Sequence, residues 1–245
     1  MHYQDLFIGH KAFWKIDRNA KYYELYMRQQ KSWAHWPDSV SITEMQKLLR
    51  FVPTWDPKYK GKNAESLADI FYEILPTVKE LYADKLENVK FDSVYLQKIR
   101  HVFDKVARYK TSYESTDASK ILHMILPNLL VMWDKNIRQG ILGKENKKKG
   151  SMYALDFLPK MQNELLEAVD TCMEEENLQR DEAVSFIRRE CGNEYLPKLV
   201  YELNYVFYTP TSEFRDYLLK IKDAGEVSID VFSRLFENLL QVDVT

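Results

Sequence analysis

A lysine and an aspartate, held at the two ends of an otherwise apolar unit, are the residues of this chain best suited to chemistry. They lie in the stretch 116–138, TDASKILHMILPNLLVMWDKNIR, where Asp134 follows Lys120 by 14 positions. A lysine works as a nucleophile only when its amine is partly unprotonated, which desolvation or nearby positive charge achieves. The neighbours of Lys120 are apolar, so its setting is the right one. A carboxylate at a helix start is kept ionised by the helix dipole and steadies positive charge that develops nearby. Breaking a glycosidic bond puts such charge on the sugar, and an amine can then trap the sugar carbon. His123 lies three residues beyond Lys120 on the same side of one helix, where it could modulate that lysine's protonation. Trp133, His123 and Trp36 are the candidates for contact with a bound base.

The elements that must position this pair follow from the same stretch. Ile121, Leu122, Ile125 and Leu126 recur at helical spacing. Thr116 or Asp117 supplies the short side-chain oxygen that caps such a helix. Pro127 lacks an N–H and disfavours α geometry before it, so the helix should end near Leu126. Leu129 to Trp133 then cross the interior, and Asp134 sits where the cap of the next helix belongs.

Aromatic residues crowd the first 37 positions, with Tyr22, Leu25 and Tyr26 on one expected helical face. Ser41-Ile42-Thr43-Glu44 matches a capping box, and the helix it opens should stop before Pro53. Residues 51–63, FVPTWDPKYKGKN, read as a surface loop. Helix returns near Ala64 with Leu67, Ile70, Phe71 and Ile74 in phase, and Pro76 should kink or stop it. Asp92 looks like the cap of a helix through Val106 whose other face carries Lys98, Arg100, Lys105 and Arg108. Beyond Arg138, the loop 140–150 holds Lys144, Lys147, Lys148 and Lys149. With Arg138, these are the candidate contacts to a nucleic-acid backbone. Helices are expected over 151–176, with Leu155, Leu158, Met161, Leu165, Leu166 and Val169 inward, and over 179–191 and 194–208. A last one, over 228–241, has Ile229, Phe232, Leu235, Phe236, Leu239 and Leu240 on one stripe. No alternation of strand type appears. The expected fold is an all-α helical bundle, one domain over 1–245 made of two packed subdomains with a cleft between them. Its helix–turn–helix core lies around 92–142.

Composition narrows the function. A 245-residue chain with 45% hydrophobic and 29% charged residues buries a proper core. Its net charge of −2 gives no overall basic field. Seven glycines, none between Gly61 and Gly140, are few for a Rossmann-like fold. No Walker or dinucleotide loop, no His-Glu-x-x-His pair and no cysteine pair at zinc spacing occurs. Cys172 and Cys191 are too few for an iron–sulfur cluster and read as inert buried thiols. No apolar run reaches the roughly 20 residues a membrane span needs. The N-terminal residues lack a secretion-signal layout, so the expected compartment is the cytoplasm, with no membrane partner.

Ala118-Ser119-Lys120, Pro127, Trp133-Asp134 and Ile137-Arg138 together resemble the core of the helix-hairpin-helix DNA glycosylase superfamily. The resemblance covers residues 111–138. It places Lys120 at the catalytic lysine of the family's bifunctional members and Asp134 at the family's aspartate. It implies a DNA-repair enzyme, a hydrolase or lyase that flips a modified or damaged base out of DNA and excises it. If Lys120 attacks, it also implies a Schiff base with strand cleavage. No metal or organic cofactor is implied. Tyr113-Glu114-Ser115-Thr116-Asp117 stands where the family carries a Gly-hydrophobic-Gly turn, and the lysine-to-aspartate connection is shorter than the family's. The alternative is a non-catalytic helical module, binding protein or nucleic acid, that retains a degenerate version of this core.

Overall fold

A computed structural model describes residues 1–17, 20–31, 33, 36–55, 63–110, 112–143, 149–209, 212–225 and 227–242. Among these residues there are α-helices and no strand, so the fold is all-α. In chain order the helices are α1 (Tyr3–Ile16), α2 (Ala20–Gln30), α3 (Ile42–Trp55), α4 (Ala64–Leu81), α5 (Ser93–Val106) and α6 (Ser115–Ile125). Then come α7 (Lys135–Leu142), α8 (Leu158–Glu176), α9 (Arg180–Cys191), α10 (Leu196–Tyr208), α11 (Ser212–Asp223) and α12 (Ile229–Val242). A π-helical stretch, Met152–Phe157, leads directly into α8.

Local capping chemistry sets several starts. Ser41 and Glu44 exchange the two bonds of a capping box at 3.2 and 2.7 Å. Asp92 accepts the N–H of Tyr95 at 2.8 Å to open α5. The start of α6 differs from expectation. Its cap is Glu114, with no side-chain cap bond. Asp117 instead sits buried in the first turn, where it accepts from the Tyr109 hydroxyl and the Lys110 ammonium, both at 2.8 Å.

Burial overrides proline at two other places. α3 does not stop before Pro53 but runs to Trp55, because Phe51 and Val52 are core residues and the last turn buries them. The surface-loop assignment therefore fails for 51–55, and residues 56–62 lie outside the described residues. α4 likewise passes through Pro76, with Ile74, Val78 and Leu81 buried on both sides of it. On α2 the inward face is Tyr23, Tyr26 and Met27, while Tyr22 and Leu25 are 39% and 51% exposed. Leu155, expected inside, is turned outward by the extra residue per turn of the π-helical stretch.

Two helices hold the centre. α10 is apolar nearly all round, the pattern of a helix with no solvent face, and it contacts α1, α7, α8 and α12. α1 lies along it so closely that a Cβ on Gly9 would come within 2.9 Å of the Leu203 Cα. α7 crosses it at Gly140, where a Cβ would fall 2.0 Å from the Tyr208 ring. α6, buried from Asp117 to Ile125, packs on α3 and α5. The unit from α6 to α7 is therefore clamped between two layers of helices. No helix among the described residues is long and apolar enough to cross a membrane.

Candidate functional site

Ser119 is the staple that folds the α6–α7 unit back on itself. Its hydroxyl lies 2.9 Å from the Trp133 carbonyl and accepts the Trp133 N–H at 3.1 Å. The Trp133 indole N–H donates to the Ser115 carbonyl at 3.0 Å. These bonds satisfy polar groups that the non-helical segment after Pro127 would otherwise bury unpaired. They also place the start of α7 beside the second turn of α6.

Asp134 caps α7 as expected. Its backbone is extended and its carboxylate accepts the Ile137 N–H at 2.9 Å. Burial pushes the Asp134 carboxyl above the usual range. The Ile137 N–H, the Lys120 ammonium, the Asn136 N–H and the Arg138 guanidinium each pull it back without cancelling that effect. Lys120 is 3% exposed and Arg138 is equally enclosed, whereas Asp134 is half-buried. The structure thus brings Lys120, Asp134 and Arg138 into one electrostatic cluster in which only the carboxylate reaches the surface.

The other candidates are placed as follows. Trp133 is wholly buried, with its ring against Phe103, Tyr153 and Phe157 and the Arg138 guanidinium 5.2 Å above it. His123 is buried one turn along α6, with Nδ1 2.5 Å from the Leu130 carbonyl and Nε2 2.9 Å from the Tyr23 hydroxyl. A carbonyl only accepts, so Nδ1 carries the proton and Nε2 takes the Tyr23 hydrogen. Both nitrogens are used within the protein. Trp36 has its ring contacts with Trp33 and Tyr82. Lys149 is exposed, and Lys144, Lys147 and Lys148 lie outside the described residues. The basic face of α5 is largely spoken for: Lys98 and Lys105 pair with Glu80 and Glu73 of α4, and Arg100 with Asp104.

Burial lowers the His123 imidazole to about 3, with the Lys198 charge adding to the effect against the Leu130 carbonyl and Glu202. In the unfolded chain the same ring titrates near 6.5. Below that pH the unfolded state binds a proton that the folded state refuses, so stability falls as pH drops towards 3. The contribution is about 1.4 kcal/mol per pH unit. Urea melts of the wild type and His123→Gln at pH 7 and pH 5 should show a shallower loss in the variant. Equal losses would remove His123 from the acid sensitivity.

Two tyrosines that feel the Asp134 carboxylate, and a second carboxylate that acts on them, carry no local signal in the sequence. Tyr201 and Tyr205 of α10 are pushed up by burial, Tyr201 well above the usual phenol range and Tyr205 to about 12. The carboxylates of Asp134 and Asp17 add to both shifts. Both phenols therefore remain protonated donors. Asp17 ends α1, and its N–H bonds to the Phe13 carbonyl at 2.8 Å.

Deeper in α10, Lys198 and Glu202 form a fully enclosed pair at 2.6 Å, 1% and 0% exposed. Glu202 also meets His10 Nδ1 at 2.6 Å. The aromatic run LPKLVYELNYVFY was the available signal, because it leaves these two charges no solvent face. Among the described residues no group of three or more His, Cys, Asp or Glu is placed to hold a metal ion. Cys172 and Cys191 are free and buried. Comparison of the chain with protein-family models, curated proteins and solved structures finds no match.

Proposed function

We propose that this chain is a DNA glycosylase-like protein that excises a modified or damaged base. Lys120 is the nucleophile and Asp134 the electrostatic partner. The observation that carries this reading is that Lys120 and Asp134, two residues 14 positions apart, lie near enough for the ammonium to act on the carboxylate. In the reaction the bond from the sugar carbon to the base nitrogen breaks and its electrons leave with the base. The Asp134 carboxylate offsets the positive charge left on the sugar. The unprotonated Lys120 amine bonds to that carbon, and the sugar ring opens to an imine as its oxygen takes up a proton. The amine must be neutral when it attacks, and Lys120 lies within an apolar stretch of α6, buried on all but 3% of its surface. Of the two acidic residues that stand in the place of the family's hairpin glycines, Glu114 and Asp117, the second is paired with Lys110 and does not repel a phosphate as a free carboxylate would.

A second reading has its own support. Lys120 is almost closed off, and none of three surface hollows of about 370, 470 and 530 Å³ is lined by Lys120 or Asp134. A helical module that binds a partner without chemistry would look the same. Borohydride trapping on DNA with an abasic site separates the two. The glycosylase-like reading expects a covalent protein–DNA adduct in the wild type and none with Lys120→Ala. Absence of any adduct in the wild type removes the lysine chemistry, and an adduct that survives Lys120→Ala moves it to another amine.

A further inference from the structure

A cavity of about 370 Å³ lies where α1 and α2 face the turn between α9 and α10. His10, Trp14, Tyr23, Met27, Asn193 and Tyr195 contribute to its lining, and neither Lys120 nor Asp134 does. A hollow of this size with aromatic walls and a few polar atoms has the usual form of a small-molecule site.

Its polar atoms are unusually arranged. His10 is fixed from behind. Its Nδ1 lies 2.6 Å from Glu202, whose carboxylate is fully buried and also bonded to Lys198. A carboxylate only accepts, so Nδ1 carries the proton, which leaves Nε2 as the free edge of a ring held in one orientation. The charges at the rim are paired with each other, Arg28 with Glu24 and Lys31 with Glu194. The cavity therefore offers an ionic ligand no net counter-charge. Two part-exposed aromatic residues, Trp14 and Tyr195, supply surface on which a flat ring stacks.

We propose that this cavity binds an uncharged planar nitrogen heterocycle, stacked on its aromatic walls and donating one of its N–H groups to His10 Nε2. The site goes beyond the lysine–aspartate reading and does not depend on it. The test follows the indole N–H resonances of the full chain by NMR, with the Trp14 signal identified by its loss in Trp14→Phe. Adenosine serves as a two-ring probe and lumichrome as a three-ring one. At least one of them should move the Trp14 signal saturably, with a dissociation constant of roughly 1 mM or tighter. Tyr195→Ala should weaken that binding roughly tenfold through loss of a stacking face. A Trp14 signal unmoved by both probes overturns the proposal, and this readout needs no variant to fold beyond the one used for assignment. A shift that is identical in folded Tyr195→Ala overturns it as well, since the ring would then bind elsewhere.

Discussion

Lys198→Met is expected to destabilise the fold by about 3–5 kcal/mol, the cost of leaving a buried charge without its partner. Lys198 and Glu202 lie one turn apart on α10 and meet at 2.6 Å with no solvent contact. Burial pushes the Glu202 carboxyl up, but the Lys198 ammonium and the His10 ring outweigh it and hold it below the usual carboxylate range. Burial in turn pushes the Lys198 ammonium down, against the pull of Glu202 and Asp17. The ammonium also stands 4.0 Å from the centre of the Phe13 ring and 4.8 Å from that of Tyr23. Methionine fills much of the same space but supplies no counter-charge. Urea and thermal melts read the loss directly, and for a chain of this length the thermal midpoint should fall on the order of 10 °C. A variant within about 1 kcal/mol of wild type would show that Glu202 is already neutralised by His10 alone.

The double variant Lys198→Met with Glu202→Leu separates the cost of an orphaned charge from any gain due to the pair. Replacing both partners by apolar side chains of similar size is often close to neutral. The double variant should therefore recover most of what the single one loses. His10 then loses its carboxylate but remains partly exposed, so water can serve its Nδ1. Near-additive losses in the three variants would mean that the two side chains act independently.

The elements legible in the sequence were those whose signal is local. Asp92 and Asp134 were read as caps because a short acceptor before an apolar-periodic run satisfies the first turn regardless of what packs on it. The stripes of α5 and α8 are legible because burial on one face is written at intervals of three and four residues, while on α12 Phe232 and Leu235 are buried as expected but Ile229 is 74% exposed. What failed was non-local. Pro53 is a strong local stop signal, yet Phe51 and Val52 bury enough apolar surface to carry α3 on to Trp55. α11 has its apolar positions broken up by charges, so the sequence around 212–223 shows no clear stripe. Lys198 and Glu202, read alone, are the spacing of an ordinary exposed helix pair; the apolar run around them points to burial, and the contact with His10, 192 positions away, is visible only in the fold. At the candidate site the lysine and aspartate are visible in the sequence, but Tyr201 and Tyr205 come near Asp134 only through the packing of α10 against α7.

Asp134→Asn is expected to leave the fold intact and to cut base excision by about 10²–10³-fold. Asparagine caps a helix about as well as aspartate, so the bond to the Ile137 N–H persists and stability should change by less than about 1 kcal/mol. What disappears is the negative charge between Lys120 and Arg138, the charge that would offset the developing cation on the sugar. Asp134→Ala removes cap and charge together and should lose activity to the same extent with an added cost of about 1 kcal/mol to the fold. Because burial raises the Asp134 carboxyl, acidification should imitate the asparagine variant as the group takes up its proton. Release of a damaged base from duplex DNA, followed alongside urea melts, reads both quantities. Excision undiminished in folded Asp134→Asn would strip the carboxylate of its proposed part. If the wild type and the variant bind DNA equally and neither releases a base, the Lys120–Asp134 cluster is a staple between α6 and α7, and the protein is the non-catalytic helical module.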